Sequence, residues 1–184
     1  MFSESYGDEI SGLVRNEATG SALQQRVAQL FEEAREDVYR YLLTLGLYPP
    51  QAQETTQESF LRLYATLKKG EQIENPRAYV FRIAHNLGLR VRAQQSAVVA
   101  FDPEVEQRLV SPTEDAEHGL IEKEKWLRFH RAVEGLSEQQ QRCLSLRLEG
   151  LRYPEIGTIL GISASAVGEF LRRAMVRLRR IHEE

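Results

Sequence analysis

The seventeen residues from Leu151 to Val167, LRYPEIGTILGISASAV, constrain the fold more tightly than any other stretch of the chain. Pro154 is tolerated only in the first turn of a helix, so it marks a helix start. Gly157 is small where two helices must cross closely. Gly161 is free to take the left-handed conformation that turns a chain out of a helix. Ile162 fills the corner and Ser163 caps the helix that follows. Val167, Leu171 and Leu178 recur at helical spacing and hold that helix on a core. A short helix, a tight turn and a second helix are the geometry that sets a helix N-terminus in the major groove of duplex DNA. Upstream, Ser137 with Gln140 three residues on has the layout of a capping box. It opens a helix whose apolar residues are Cys143, Leu144, Leu146 and Leu148. The unit therefore runs from about Leu136 to Arg180. Its last helix carries Arg172, Arg173, Arg177, Arg179 and Arg180, suited to phosphate contacts.

A formal net charge of −3 over 184 residues does not suggest a DNA binder until it is resolved along the chain. Residues 60–93 carry a net +5 and residues 126–184 a net +3, whereas residues 94–125 carry −5. Two basic zones flank an acidic strap, and it is local charge that decides which surface nucleic acid can approach.

The remainder reads as helix. Little of the chain alternates with period two, and the long segments place apolar residues three and four apart. Residues 1–20 are polar and glycine-containing, and are expected to form a mobile or weakly helical leader. Leu23, Val27, Leu30, Phe31, Ala34, Val38, Tyr41, Leu42 and Leu45 define an amphipathic helix over Ala22–Leu45. Gly46 stops it and Pro49-Pro50 forbid its continuation. A second helix is expected from Gln51 to Leu67, with Ala52, Thr56, Phe60, Leu63 and Leu67 inward. A third opens at Asn75-Pro76, a cap followed by proline at the first helical position, and runs to about Ala93. The proline- and acid-bearing stretch after it reads as a flexible linker. Beyond it, Ile121, Trp126, Leu127, Phe129 and Val133 describe a helix over Leu120–Gly135. The fold class is all-α: two small helical domains joined by a flexible acidic linker. The boundaries are leader 1–20, first domain 21–94, linker 95–119 and helix-turn-helix domain 120–184.

Several functions are excluded from the expectation. There is no glycine loop for a nucleotide. His85, His118, His130 and His182 are scattered, and the single Cys143 can neither form an internal disulfide nor contribute to a cysteine-rich metal site. No enzyme activity, cofactor or metal is expected. No run approaches the ~18 apolar residues of a membrane span, and the N-terminus lacks the layout of a secretory signal. The expected location is the cytoplasm.

These features together resemble an alternative sigma factor of bacterial RNA polymerase, in the small extracytoplasmic-function (ECF) group of the sigma-70 family. LSEQQQRCLSLRLEGLRYPEIGTILGISASAVGEFLRRAMVRLRR is similar to the family's region 4. QAQETTQESFLRLYATL resembles regions 2.1–2.2, and NPRAYVFRIAHNLGLRVR resembles regions 2.3–2.4. The resemblance implies a factor that binds the RNA polymerase core and directs promoter recognition and transcription initiation. Its second helix would grip the polymerase clamp through Glu54, Gln57, Glu58 and Arg62. The third helix, with the loop Lys68–Asn75 before it, would engage the minus-10 element. Capturing unstacked bases there calls for aromatic and cationic side chains, and Arg77, Tyr79, Phe81, Arg82, His85 and Asn86 are the candidates. Tyr79 and Phe81 are two apart and cannot share a helix face, so at least one of them belongs to the core. Region 4 would read the minus-35 element through Ser165, Gly168, Glu169, Arg172, Arg173 and Arg177. The implied partners are polymerase core, promoter DNA and an anti-sigma factor, without membrane insertion.

The chain departs from the family pattern just after the valine of the recognition helix. Where the family has a basic residue, a serine and a second basic residue, this chain has Gly168, Glu169 and Phe170. Glu169 repels phosphate, but it is also able to accept from a cytosine amino group or to pair with Arg173 four residues on. Two other readings therefore stay open. One is a degenerate sigma paralogue acting as a protein-interaction module. The other is a conventional helix-turn-helix regulator.

Overall fold

The structure is a computed structural model that describes residues 5–99, 133 and 135–183, with the side chains of residues 5–19, 96–99 and 180–183 left out of the description. It contains six helices among the described residues and no strand: α1 (Ser5–Thr44), α2 (Pro49–Lys68), α3 (Pro76–Val99), α4 (Glu138–Leu148), α5 (Tyr153–Leu160) and α6 (Ala164–Glu183). The class is all-α, as expected. None of these helices is long and apolar enough to cross a membrane.

Three boundaries differ from expectation. Helix α1 begins at Ser5, so the stretch read as a leader is helical where it is described. Pro49 and Pro50 do not delay the second helix but open it, occupying its first turn, where the missing N–H has no intrahelical acceptor to lose. Helix α3 continues past Ala93 to Val99, into the stretch assigned to the linker. The rest of that linker and the expected helix Leu120–Gly135 lie outside the described residues, apart from Val133 and Gly135.

The first module is an α1–α2–α3 bundle. Val38, Tyr41 and Leu42 of α1, Leu63 of α2 and Val80 and Phe81 of α3 are fully buried. Phe31 meets the edge of Phe60 at 5.0 Å, and Tyr41 meets Phe81 at 5.8 Å. Such aromatic pairs add to the area they bury. Gly46 closes α1 with φ +91°. Asn75 caps α3, its Oδ1 accepting from the Ala78 amide at 3.1 Å.

The second module is the helix-turn-helix. Ser137 and Gln140 form the expected reciprocal box: the Ser137 amide donates to Gln140 Oε1 at 2.9 Å, and the Gln140 amide donates to Ser137 Oγ at 3.3 Å. Gly161 turns the chain with φ +68°. A Cβ on Gly157 would stand 2.6 Å from the Ile162 carbonyl, so the turn folds directly over this glycine. Ser163 Oγ accepts from the Ala166 amide at 3.1 Å and caps α6. Cys143, Leu146, Ile156 and Val167 are fully buried beneath the turn.

The two modules touch. Helix α4 packs on α1 and α5 packs on α3. Arg40 donates to the Glu149 carboxylate at 3.0 Å and Arg77 to the Glu149 backbone carbonyl at 3.0 Å. Asn75 Nδ2 donates to Glu155 Oε1 at 2.6 Å, and Arg92 pairs with Glu138 at 3.0 Å.

Candidate nucleic-acid interface

Two faces carry the residues singled out in the sequence. The first is a groove of about 460 Å³ between α2 and α3, lined by Arg62, Lys69, Tyr79, Arg82, Asn86 and Arg90 among others. On α3 the residues Tyr79, Arg82, Asn86 and Arg90 follow each other at intervals of three or four, so one stripe of the helix faces the groove. Arg82 lies over the Tyr79 ring, 5.2 Å from its centroid. The result is a half-exposed aromatic face with a cation beside it, bordered by three further cations. A π-face next to a positive groove is what stacks an unpaired base and tracks its phosphate.

Of the six α3 candidates, three line this groove: Tyr79, Arg82 and Asn86. Phe81 is the core member of the aromatic pair, fully buried against Tyr41. His85 does not reach the groove. It is buried, with Nδ1 2.8 Å from the Tyr41 hydroxyl. Burial and then the nearby charge of Arg142 pull its pKa down to about 4, so it is a neutral packing residue. The reason lies in register: His85 is four residues after Phe81 and shares its inward face. Arg77 also points elsewhere, to Asp37 at 2.5 Å and to the Glu149 carbonyl. Partial burial raises the pKa of Asp37, but Arg77 and Arg40 outweigh it and the net shift is downward.

Lys69 belongs to the loop Lys68–Asn75 that the sequence grouped with the third helix, and it lines the groove with it. Two groove cations were not assigned to it from sequence: Arg90 was not singled out as a site, and Arg62 was assigned to the polymerase face. The signal for Arg90 was its place on the Tyr79 stripe. For Arg62 there was no local signal, because the approach of α2 to α3 decides it.

On α2, Glu54, Gln57 and Arg62 are exposed and Glu58 is half-buried. Glu58 and Arg62 pair at 2.6 Å. Leu61 stands among them at 63% exposure, an apolar residue that the inward pattern does not account for. It borders a shallow apolar groove formed with Val27, Phe31, Phe60 and Tyr64.

The second face is the N-terminal half of α6. Ser165, Arg172, Arg173 and Arg177 are exposed, and Gly168 and Glu169 are half-buried. The expected Glu169–Arg173 pair is present at 2.7 Å, and Arg172 joins it with two further bonds at 2.9 Å. Hydrogen bonds from Arg172, then Arg173, hold the Glu169 carboxyl at about 2. The triad is thus one anion between two guanidinium groups, all in solvent. At Gly168 a Cβ would sit 3.5 Å from the Tyr153 ring, ordinary contact. Tyr153, itself with Arg147 over its ring at 5.7 Å, extends this face beyond the recognition helix.

Comparison with known proteins agrees with this division. The family model "Sigma-70 region 2" matches residues 30–98, which hold the groove, and "Sigma-70, region 4" matches residues 126–178, which hold the helix-turn-helix. The ECF RNA polymerase sigma factor SigE of Mycolicibacterium smegmatis is 26% identical over 175 residues, covering 94% of this chain and 68% of that protein. Two solved structures share the fold at 17% identity. One is the sigma factor RpoE in complex with the anti-sigma factor NepR from Bartonella quintana, with a TM-score of 0.60 over 85% of this chain and 96% of that one. The other is CnrH in complex with the cytosolic domain of CnrY, with a TM-score of 0.57 over 92% and 96%. With both regions present, in this order and on the two modules that carry the basic faces, the chain belongs to the sigma-70 family of RNA polymerase sigma factors, in its extracytoplasmic-function group.

Proposed function

We propose that this chain directs RNA polymerase to promoters with its two faces divided between the two promoter elements. Members of the family are non-enzymatic initiation factors, and this chain is a sigma factor for transcription initiation. In our reading the exposed face of α2, with Glu54, Gln57, Glu58 and Arg62, meets the polymerase core in the clamp region. The α2–α3 groove holds an unstacked base of the minus-10 element on Tyr79, with Arg82, Asn86, Arg62, Lys69 and Arg90 around its backbone. His85 is left out of this set, and Arg77 enters it only after leaving Asp37 and Glu149. Helix α6 reads the minus-35 element through Ser165, Gly168, Glu169, Arg172 and Arg173, with Arg177 on phosphate. The observation that carries this reading is the groove: an aromatic face with cations around it, on the helix matched to region 2.

An anti-sigma factor belongs among the partners we propose, since both solved relatives are described as bound complexes. The place of action is the cytoplasm, where polymerase and promoter DNA meet. Glu169 also favours a second reading, a paralogue that binds polymerase without reading promoters, because it neutralises part of the recognition helix. Mixing the purified chain with core enzyme and footprinting the mixture on promoter DNA separates the two. Protection of both elements supports the initiation factor. Core association without protection supports the interaction module. No core association leaves only a conventional regulator.

A further inference from the structure

We propose that Tyr153, on the first helix of the helix-turn-helix, reads DNA through the gap that Gly168 leaves in the recognition helix, and that it reads the methyl group of a thymine. This inference rests on the initiation-factor reading above and names what recognises one base of the minus-35 element. Ser165, Gly168 and Arg172 follow each other at intervals of three and four, so they form one stripe along α6. Ser165 and Arg172 are exposed and polar. Between them the stripe has no side chain to offer a base. Glu169, the next residue, is taken up by Arg172 and Arg173 through three hydrogen bonds.

The Tyr153 ring borders the gap. A Cβ at position 168 would stand 3.5 Å from Tyr153 Cε2 and 3.8 Å from its Cδ2. Both are ring carbons, so an aromatic edge and not the hydroxyl lines the gap. Several contacts hold the ring there. Tyr153 opens α5, and the Arg152 amide donates to Glu155 Oε2 at 2.7 Å, which fixes the start of that helix. Gly157 is four residues after Tyr153 and shares its face. Its lack of a side chain lets α5 close against the turn that leads into α6. Arg147 lies over the ring at 5.7 Å and is itself anchored, its Nη1 donating to the Leu151 carbonyl at 3.0 Å. Tyr153 nevertheless keeps 42% of its surface exposed. Among the described residues no group hydrogen-bonds its hydroxyl. A ring already held in place loses little freedom when a base edge meets it.

The chemistry of the gap selects the ligand. In the major groove a base pair presents hydrogen-bond donors and acceptors, and one apolar group, the thymine methyl. A ring edge neither donates nor accepts, but it gains by covering a methyl. A hydroxyl on phosphate would instead hold every sequence alike.

The test uses the full chain assembled with core enzyme. Promoter duplexes randomised at the minus-35 element are selected for binding by the wild-type assembly. Each thymine of the selected site is then replaced in turn by deoxyuridine, which lacks only the methyl, and affinity is read by fluorescence anisotropy. One replacement should weaken the wild type about fourfold, the worth of one buried methyl-sized group. Tyr153→Phe should keep that ratio, and Tyr153→Ala should abolish it. Gly168→Asn leaves Tyr153 in place but sets an amide over the ring edge, and should also abolish it. A Cβ there makes only ordinary contact, so the helix accepts the change. Each ratio compares two duplexes on one protein, so a general loss of stability or affinity leaves it unmoved. A wild type indifferent to every thymine methyl overturns the inference. So does a ratio that survives Tyr153→Ala or Gly168→Asn, or one that Tyr153→Phe removes. If no minus-35 sequence is enriched, the initiation-factor reading fails and the inference falls with it. An enriched site without methyl dependence leaves that reading standing and sinks the inference alone.

Discussion

Replacing Glu169 by Ala tests how the recognition helix reads DNA. In the folded chain the carboxylate accepts two bonds from Arg172 and one from Arg173, all on an exposed face. A carboxylate offers about four acceptor positions, so little of Glu169 is left to take a cytosine amino group. The structure favours a positioning role: Glu169 fixes the direction of two guanidinium forks and cancels one of their charges. Removing it leaves one more positive charge towards phosphate. Each added phosphate neutralisation steepens the salt dependence by ~0.9 in log–log slope, worth about fivefold in affinity near 0.15 M salt. That gain applies to every sequence. Against it stands the loss of aim. A guanidinium that reads a base bidentately is worth ~1–3 kcal/mol of discrimination, and freeing it forfeits part of this. Glu169→Ala should therefore bind random duplex about fivefold more tightly. It should bind the selected minus-35 site no better than the wild type, so that the specificity ratio falls about fivefold or more. Fluorescence anisotropy on both duplexes, repeated over a salt series, gives both numbers. An equal rise on both duplexes, with the ratio unchanged, would refute the positioning role and leave Glu169 as an unfavourable charge only.

Other outcomes follow from the same geometry. Glu54→Lys with Glu58→Lys should weaken association with core enzyme in a native gel while the helical circular dichroism stays unchanged, because neither side chain is in the core. Tyr79→Ala should lower promoter opening, read by permanganate reactivity of thymines near −10, by the ~1–3 kcal/mol of a base–aromatic stack, with Tyr79→Phe retaining most of it. His85 is neutral in the folded chain, with its pKa at about 4, and titrates near 6.5 when unfolded. Below pH 6.5 the unfolded chain binds the extra proton, so this contribution is whole above that pH and is lost as pH falls towards 4, up to ~3 kcal/mol. Urea midpoints at pH 7.5 and 4.5 should therefore differ less for His85→Gln than for the wild type.

The helix-turn-helix was legible because its signals are local. Gly157, Gly161 and Ser163 each answer a backbone demand within a few residues, and all three stand where the pattern put them. The Glu169–Arg173 pair follows from helical spacing in the same way. What depended on packing was harder to read. His85 looked polar and available, yet the register that buries Phe81 buries it too. Arg62 reaches the α2–α3 groove only because α2 lies against α3. Gly88 gave no sequence signal, although a Cβ there would stand 2.8 Å from a Leu42 methyl, because it lies where α3 crosses α1. The seam between the modules was equally hidden. Arg40 and Glu149 are 109 residues apart, and no short-range pattern connects them.

Run-off transcription with purified core enzyme tests the central claim most directly. Promoters that fire when the chain is overproduced serve as templates, and transcript 5′ ends are mapped. The account expects core enzyme to start at one fixed position per promoter only when the chain is present. That start should be lost with Tyr79→Ala and Arg82→Ala together, and with scrambled minus-10 or minus-35 sequences. Core enzyme that binds the chain but yields no promoter-specific start on any of these templates would contradict it.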